Sequence, residues 1–79
     1  MDKKVTVQIN TIEKVKQFVN IISKYENDAE LQSQRYIVDA KSIMGIFSLD
    51  LSKNITLVIR EGNNDTEKIV KDLEKFIVK

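Results

Sequence analysis

The sequence predicts an α+β fold, a two-layer open-faced sandwich in which three helices cover one side of a four-stranded, largely antiparallel sheet. Three observations lead to this prediction. Apolar and polar residues alternate in strand-like fashion in four places, apolar residues recur at helical spacing in two longer segments, and one short apolar run lies between them. Because each element has one apolar face, packing the helices on one side of the sheet buries all of these faces together.

Length and composition indicate a single domain over residues 1–79. A chain of 79 residues without cysteine has neither disulfides nor thiolate-bound zinc, so one packed core must stabilise it. Thirteen basic and twelve acidic residues are interspersed, which gives no basic surface for nucleic acid or anionic lipid. No apolar run approaches the length of a membrane span. We therefore expect a soluble, cytoplasmic protein with no nucleic-acid or membrane partner.

The N-terminal part is predicted to form a strand followed by a helix. Residues 5–9 alternate between apolar and polar side chains, as in a half-buried strand. Apolar residues then recur at 3.6-residue spacing as far as about Tyr25. The helix is expected to begin at Asn10, because Glu13 follows it at capping-box spacing.

The middle of the chain is predicted to contain three strands and one short helix. Two short strands are expected over residues 29–33 and 36–40, joined by a turn at residues 34–35. A short helix over residues 42–49 begins with a serine, which is a favourable N-cap. Alternation over residues 55–59 indicates the fourth strand.

The C-terminal segment is predicted to be an amphipathic helix after a turn at Gly62 and Asn63. Asn64 and Glu67 repeat the capping-box spacing at its start. Its apolar stripe consists of Ile69, Val70, Leu73, Phe76 and Ile77. The complete order of elements is therefore βαββαβα.

A run at the centre of the chain resembles a family signature. The segment 41–49 reads Lys-Ser-Ile-Met-Gly-Ile-Phe-Ser-Leu. The number of residues between Ser23-Lys24-Tyr25 and the serine of this segment also resembles the spacing in a known family, without an insertion or deletion. Together with the element order, this segment resembles the HPr (histidine-containing phosphocarrier) family of the sugar phosphotransferase system, whose second helix carries a serine followed by Ile-Met-Gly. The similarity covers roughly residues 18–79. It implies the family's fold, a non-enzymatic role and no cofactor.

The first third departs from the family at its phosphorylation site. Family members carry Gly-Ile-His-Ala-Arg-Pro-Ala there, whereas residues 10–15 read Asn-Thr-Ile-Glu-Lys-Val and the chain contains no histidine. Thr11 falls near the place of the histidine, and Glu13 near that of the arginine, where a carboxylate would repel a phosphate. The strand pattern also continues to Ile9, so the active loop is expected to be short. Because a threonine phosphate ester is too stable for a relay, the resemblance implies that the histidine phosphorelay is lost.

Ser42 has two interpretations. In many HPr proteins the matching serine is phosphorylated by an ATP-dependent HPr serine kinase, and the phospho-form binds a transcriptional regulator of carbon catabolite repression. A branch of the family lacks the histidine and retains this serine. The other interpretation is a plain helix cap, for which serine is among the best residues.

The helix after Ser42 is too short to bury all of its apolar side chains. The resemblance implies that Ile43, Met44 and Phe47 form an exposed patch that docks protein partners. We expect Lys41 and Lys53 to be flanking charges that steer an acidic partner. In the alternative arrangement, Met44 or Phe47 turns inward and fills a core that is short of aromatic residues.

The expected function is therefore a regulatory, protein-binding module that acts through the Ser42 helix, with or without phosphorylation. A phosphocarrier that uses a residue other than histidine, and a structural module that self-associates through this helix, are the alternatives. Enzymatic activity ranks last, because a catalytic triad or a metal site has few candidate residues without histidine or cysteine. Carboxylates two residues apart, such as Asp65 and Glu67, face different sides of a helix. The oligomeric state is left open.

Overall fold

The computed structural model describes residues 2–34, 36–60 and 65–78. They form four strands, which are β1 (Lys3–Val7), β2 (Ala29–Gln32), β3 (Ile37–Asp39) and β4 (Ile55–Ile59). All strand pairs are antiparallel, and the spatial order is β1-β4-β2-β3. The helices are α1 (Ile12–Ile22), α2 (Ile43–Phe47) and α3 (Thr66–Asp72), followed by a 3₁₀ turn over Glu74–Phe76. The predicted fold class is confirmed.

One core lies between the sheet and the helices. Alternate residues of the strands point toward the helices and are buried, as Val7, Leu31 and Leu57 are. The helices contribute mainly aliphatic side chains at helical spacing. Two aromatic rings, Phe18 and Phe76, meet edge to face with their centroids 6.0 Å apart. This contact links α1 to the 3₁₀ turn at the end of the described chain.

The first helix begins one residue later than the capping-box spacing predicted. Thr11 is the N-cap, and its hydroxyl oxygen accepts a hydrogen bond from the amide of Lys14 at 3.1 Å. Asn10 instead accepts a hydrogen bond from the Lys14 ammonium group at 3.1 Å. The prediction of Asn10 as the start was therefore wrong. Since Ile12 is the first helical residue, Glu13 lies within the first turn.

The same helix ends at Ile22, before the predicted end at Tyr25. The amides of Lys24 and Tyr25 donate to the carbonyls of Ile21 and Ile22, both at 3.2 Å. These are bonds to the third preceding residue, so the helix closes in a tight 3₁₀-like turn.

The first strand ends at Val7 rather than at Ile9. β4 begins opposite Val7, so the ladder between β1 and β4 stops there. The next amide, that of Gln8, donates to the carbonyl of Phe76 at 2.8 Å, and Val7 forms a bridge with Ile77. The C-terminal segment thus covers the outer edge of β1. Ile9 remains fully buried although it lies outside the strand.

The last helix is shorter than the predicted apolar stripe. α3 ends at Asp72, and the chain tightens into the 3₁₀ turn, whose Phe76 is buried. Within the described ranges, no helix is long and apolar enough to cross a membrane. Four residues of the predicted turns and of the predicted start of the last helix lie outside the described residues: Arg35, Gly62, Asn63 and Asn64.

Candidate functional site

Ser42 begins the short second helix from an extended backbone conformation, with φ −99° and ψ 107°. Its hydroxyl oxygen accepts a hydrogen bond from the amide of Gly45 at 3.2 Å, and its carbonyl accepts one from the amide of Ile46 at 3.0 Å. Its own amide donates to the carbonyl of Asp39, the last residue of β3, at 3.0 Å. Ser42 is therefore the N-cap, half-buried and joined directly to the sheet.

The close surroundings of Gly45 favour a residue without a side chain at this position. A Cβ atom there would lie 3.3 Å from the Cβ atom of Val38 and 3.3 Å from the hydroxyl oxygen of Ser42. Both contacts are tighter than ordinary van der Waals contacts, so a larger residue would require Val38 and the Ser42 hydroxyl to give way by a few tenths of an ångström. The glycine thus lets the capped turn lie directly against the sheet.

The apolar side chains of this region divide into buried and exposed groups. Ile46 is fully buried and Leu49 nearly so, whereas Met44 is 77% exposed and Phe47 is 40% exposed. Ile43 is half-buried and packs against the core. Met44 and Phe47 therefore do not turn inward to fill the core. We call the half-buried Ser42 together with exposed Met44 and Phe47 the α2 surface.

The two lysines predicted as flanking charges have different surroundings. The ammonium group of Lys41 donates to the backbone carbonyl of Tyr25 at 2.7 Å, and its amide donates to the Asp39 carboxylate at 2.8 Å. Lys41 is thereby held against the end of α1. Lys53 is exposed and lines a polar recess of about 350 Å³ that also contains Tyr36.

Asp50 also lines this recess and is held as a carboxylate. The hydroxyl of Ser52 donates to Asp50 Oδ1 at 2.6 Å, and the amide of Ser52 donates to the same oxygen at 3.1 Å. These two bonds, with a smaller contribution from the charge of Lys53, lower the pKa of Asp50 from its ordinary value.

The start of α1 is the place where the resemblance predicts the degenerate phosphorelay site, and it holds Thr11 in an extended conformation, with φ −135° and ψ 157°. The Thr11 hydroxyl oxygen accepts a hydrogen bond from the amide of Lys14. Glu13 is exposed in the first turn, and Ile12 is 61% exposed. The cation nearest in sequence, Lys14, donates to Asn10.

Sequence reasoning missed Tyr25, which connects three parts of the fold. Its hydroxyl donates to the Asp72 carboxylate at the end of α3, and its carbonyl accepts from Lys41. The hydrogen bond to Asp72, followed by burial, raises the pKa of Tyr25 above its ordinary value. The sequence places Tyr25 near the end of the first helix but does not reveal these two contacts, because both are long-range. Among the described residues, no group of three or more histidine, cysteine or acidic side chains could hold a metal ion.

The fold and the α2 surface define a small α+β domain that presents a serine-capped helix with exposed apolar side chains. The family model described as "PTS HPr component phosphorylation site" matches residues 12–79. The chain belongs to the HPr family of the phosphotransferase system. Proteins of this family are phosphocarriers rather than enzymes, and they interact with protein partners.

Solved structures agree with this assignment. HPr-C-His from Thermoanaerobacter tengcongensis is 32% identical over 92% of this chain and 88% of that chain, with a TM-score of 0.77. The phosphocarrier protein HPr from Bacillus anthracis str. Ames is 25% identical over 99% of this chain and 96% of that chain, with a TM-score of 0.72. The Bacillus subtilis catabolite repression containing protein Crh has the same fold, at 22% identity over 98% of this chain and 90% of that chain and a TM-score of 0.63. That protein was solved as an intertwined, domain-swapped dimer.

Proposed function

We propose that this chain is a regulatory, protein-binding member of the HPr family that does not relay phosphate through histidine. It engages a protein partner through the α2 surface, and Ser42 is its phosphoacceptor. The observation that carries the proposal is the position of Ser42 at the N-cap of α2, two residues before a methionine that is 77% exposed. The absence of histidine from the sequence supports the loss of the relay.

Charge within the first helical turn favours Ser42 over Thr11 as the acceptor. Both hydroxyl oxygens accept a hydrogen bond from the amide three residues further on. An anion on Thr11 would lie in the same first turn as Glu13, whereas the first turn after Ser42 contains no acidic residue. Like charges in one turn are destabilising, and a free helix start favours an anion.

A phosphate on Ser42 can be accepted without loss of the helix. The modified group carries three acceptor oxygens, so the amide of Gly45 keeps an acceptor. The new charge lies beside Met44, so it changes the electrostatic character of the α2 surface while the apolar contact area stays in place. A partner with basic residues around an apolar groove fits the phospho-form. The proposed partners are an HPr serine kinase and a transcriptional regulator of catabolite repression, and the proposed location is the cytoplasm, where ATP-dependent phosphorylation occurs.

Phosphorylation is tested by intact-mass analysis after incubation with ATP and an HPr serine kinase. We expect one added phosphate on the natural chain and none on Ser42→Ala. Ser48→Ala is the matched control, because Ser48 is an exposed hydroxyl at the other end of the same helix. If the natural chain gains no mass while an authentic HPr is labelled in parallel, Ser42 is only a cap and this part of the proposal fails.

Docking is tested separately with Met44→Asp. The variant should lose binding to the kinase and to the phospho-dependent regulator, because a charge replaces the most exposed apolar side chain of the α2 surface. Val78→Asp is the control, since Val78 is 38% exposed and its amide pairs with Thr6 on β1, at the opposite edge of the sheet from β3. Binding of Met44→Asp with unchanged affinity would refute docking through this surface.

The relay is tested by incubation with phosphoenolpyruvate and Enzyme I. We expect no acid-labile label on this chain under conditions that label an authentic HPr. Acid-labile label would show that another residue carries phosphate, and it would refute the loss of the carrier reaction.

A further inference from the structure

The two edge strands of the sheet, β1 and β3, differ in whether another segment of the chain covers their outer side. At the β1 edge, the amide of Val78 donates to the carbonyl of Thr6 at 2.8 Å, and Val7 bridges Ile77, so this edge is covered by the chain itself. At the other edge, β2 is the only strand among the described residues that pairs with β3. Tyr36 and Ile37 lie at this edge and are 61% and 64% exposed. An exposed edge with apolar side chains is a template for pairing with another strand.

The hydrogen-bond pattern shows which backbone groups of β3 point outward. The amide of Ser33 donates to the carbonyl of Tyr36 at 2.9 Å, and the amide of Ala40 donates to the carbonyl of Ala29 at 3.0 Å. In an antiparallel ladder bonded and non-bonded pairs alternate. The pair formed by Gln32 and Ile37 is therefore non-bonded.

The amide and the carbonyl of Ile37 consequently both point away from β2. The same alternation turns the backbone of Asp39 outward, but its carbonyl already accepts from the amide of Ser42 at 3.0 Å. Within the described part of β3, Ile37 is thus the residue that offers both a donor and an acceptor to a further strand.

We propose that two copies of this chain associate through the β3 edges, antiparallel and with Ile37 opposite Ile37. In this register each Ile37 amide donates to the Ile37 carbonyl of the other copy, and a two-fold axis relates the two bonds. The resulting sheet runs β1-β4-β2-β3-β3-β2-β4-β1, with both helical layers on the same side.

The side chains of residues 36–38 favour this register. They also favour a second copy of this chain as the partner at the β3 edge. Ile37 meets its own counterpart on the open face of the sheet, and Tyr36 lies opposite Val38 of the other copy. Pairs of β-branched and aromatic side chains are favourable across antiparallel strands. A register centred on Asp39 would place two carboxylates opposite each other, which is unfavourable. The uncharged segment 36–38 is therefore self-complementary in one register.

The size of the contact determines how strong the association is. β3 has only three residues, so the interface belongs to the small, transient class. We expect monomers at micromolar concentration and dimers near millimolar concentration. No segment is exchanged between copies, so the arrangement differs from a domain swap. It depends neither on Ser42 nor on phosphorylation.

Sedimentation velocity of the full chain from micromolar to millimolar concentration tests the proposal. The average mass of the natural chain should rise toward twice that of the monomer, and Ile37→Pro should remain monomeric. Proline removes the outward-pointing amide without removing a bond to β2, and edge strands tolerate it. Ile37→Lys is the second variant, because an edge charge blocks pairing even if proline disturbs folding. Met44→Asp is the matched control and should associate like the natural chain.

Amide chemical shifts provide an independent measurement on the natural chain. The Ile37 amide should shift with protein concentration, whereas the Val38 amide, which points toward β2, should not. A monomer at all concentrations would overturn the proposal. So would association that persists in Ile37→Lys, or association that Met44→Asp abolishes, because the contact would then lie elsewhere.

Discussion

The hydroxyl of Ser42 is expected to contribute about 1 kcal/mol to stability through a single cap. Its oxygen accepts one hydrogen bond, from the Gly45 amide at 3.2 Å, in a half-buried position. Removal of a serine N-cap costs about 0.5–2 kcal/mol, typically about 1 kcal/mol. For a domain of this size, a loss of about 1 kcal/mol lowers the Tm by about 4–8 °C. Ser42→Ala should therefore unfold measurably earlier than the natural chain.

Two further variants separate the cap from other effects of a mutation in α2. Ser42→Asp keeps an acceptor at the helix start and adds a favourable negative charge, so its stability should lie within about 0.5 kcal/mol of the natural chain. Ser48→Ala removes an exposed hydroxyl that donates to the carbonyl of Gly45 at 2.5 Å, and its effect should be equally small. Urea unfolding followed by circular dichroism measures all three. Equal stability of Ser42→Ala and Ser48→Ala would refute the reasoning.

Three other predictions concern the scaffold. Leu73→Ala should cost about 2–5 kcal/mol in urea unfolding, because Leu73 is fully buried in the core. Asp72→Asn should lower the pKa of Tyr25 in an ultraviolet titration, since the hydrogen bond to Asp72 is the first cause of its rise; the stabilisation is present below about pH 10 and is lost as the pH rises through the folded pKa. Ser52→Ala should raise the pKa of Asp50 measured by carbon NMR, because the hydroxyl of Ser52 is the main cause of its depression. That stabilisation is present above about pH 3.9 and is lost as the pH falls through the folded pKa.

Periodicity predicted the architecture because local pattern and long-range burial agree in most elements. Leu57 follows the polar Thr56 and lies in the core, and Phe18 and Ile22 share one face of α1.

The length of α2 predicted that some of its apolar side chains stay exposed, whereas the resemblance predicted which ones. Met44 and Phe47 are exposed. The prediction was wrong for Ile43, which is half-buried and packs against the core.

The ends of the helices and strands were less predictable, for example where two neighbouring residues can both cap a helix. Asn10 and Thr11 are both good N-caps, and only the backbone conformation of Thr11 decides between them. Ile77 fits a helical stripe because it follows Leu73 by four residues. In the structure it leaves the helix and bridges Val7, a contact that local spacing does not encode.

The electrostatic role assigned to Lys41 shows a further limit. Its position beside Ser42 predicts a steering charge, but its ammonium group is bound to the carbonyl of Tyr25 at 2.7 Å. We therefore expect Lys41 to contribute less to the steering of any partner at the α2 surface than the sequence indicates. Lys53, which is exposed beside the polar recess, remains a predicted charge contact.

The contacts around Ser42 indicate how a partner protein would recognise a modification at this residue. α2 lies close to β3 at Gly45, where an added Cβ atom would lie 3.3 Å from Val38. Lys41, the residue before the cap, donates to the carbonyl of Tyr25. Tyr25 is itself joined to Asp72 of α3. The base of the helix is thus held from two sides, and a phosphate on Ser42 retains the cap bond that starts it. A phospho-form would therefore present the same apolar side chains with a different charge, and we expect a partner to distinguish the two forms by electrostatics rather than by a change of fold.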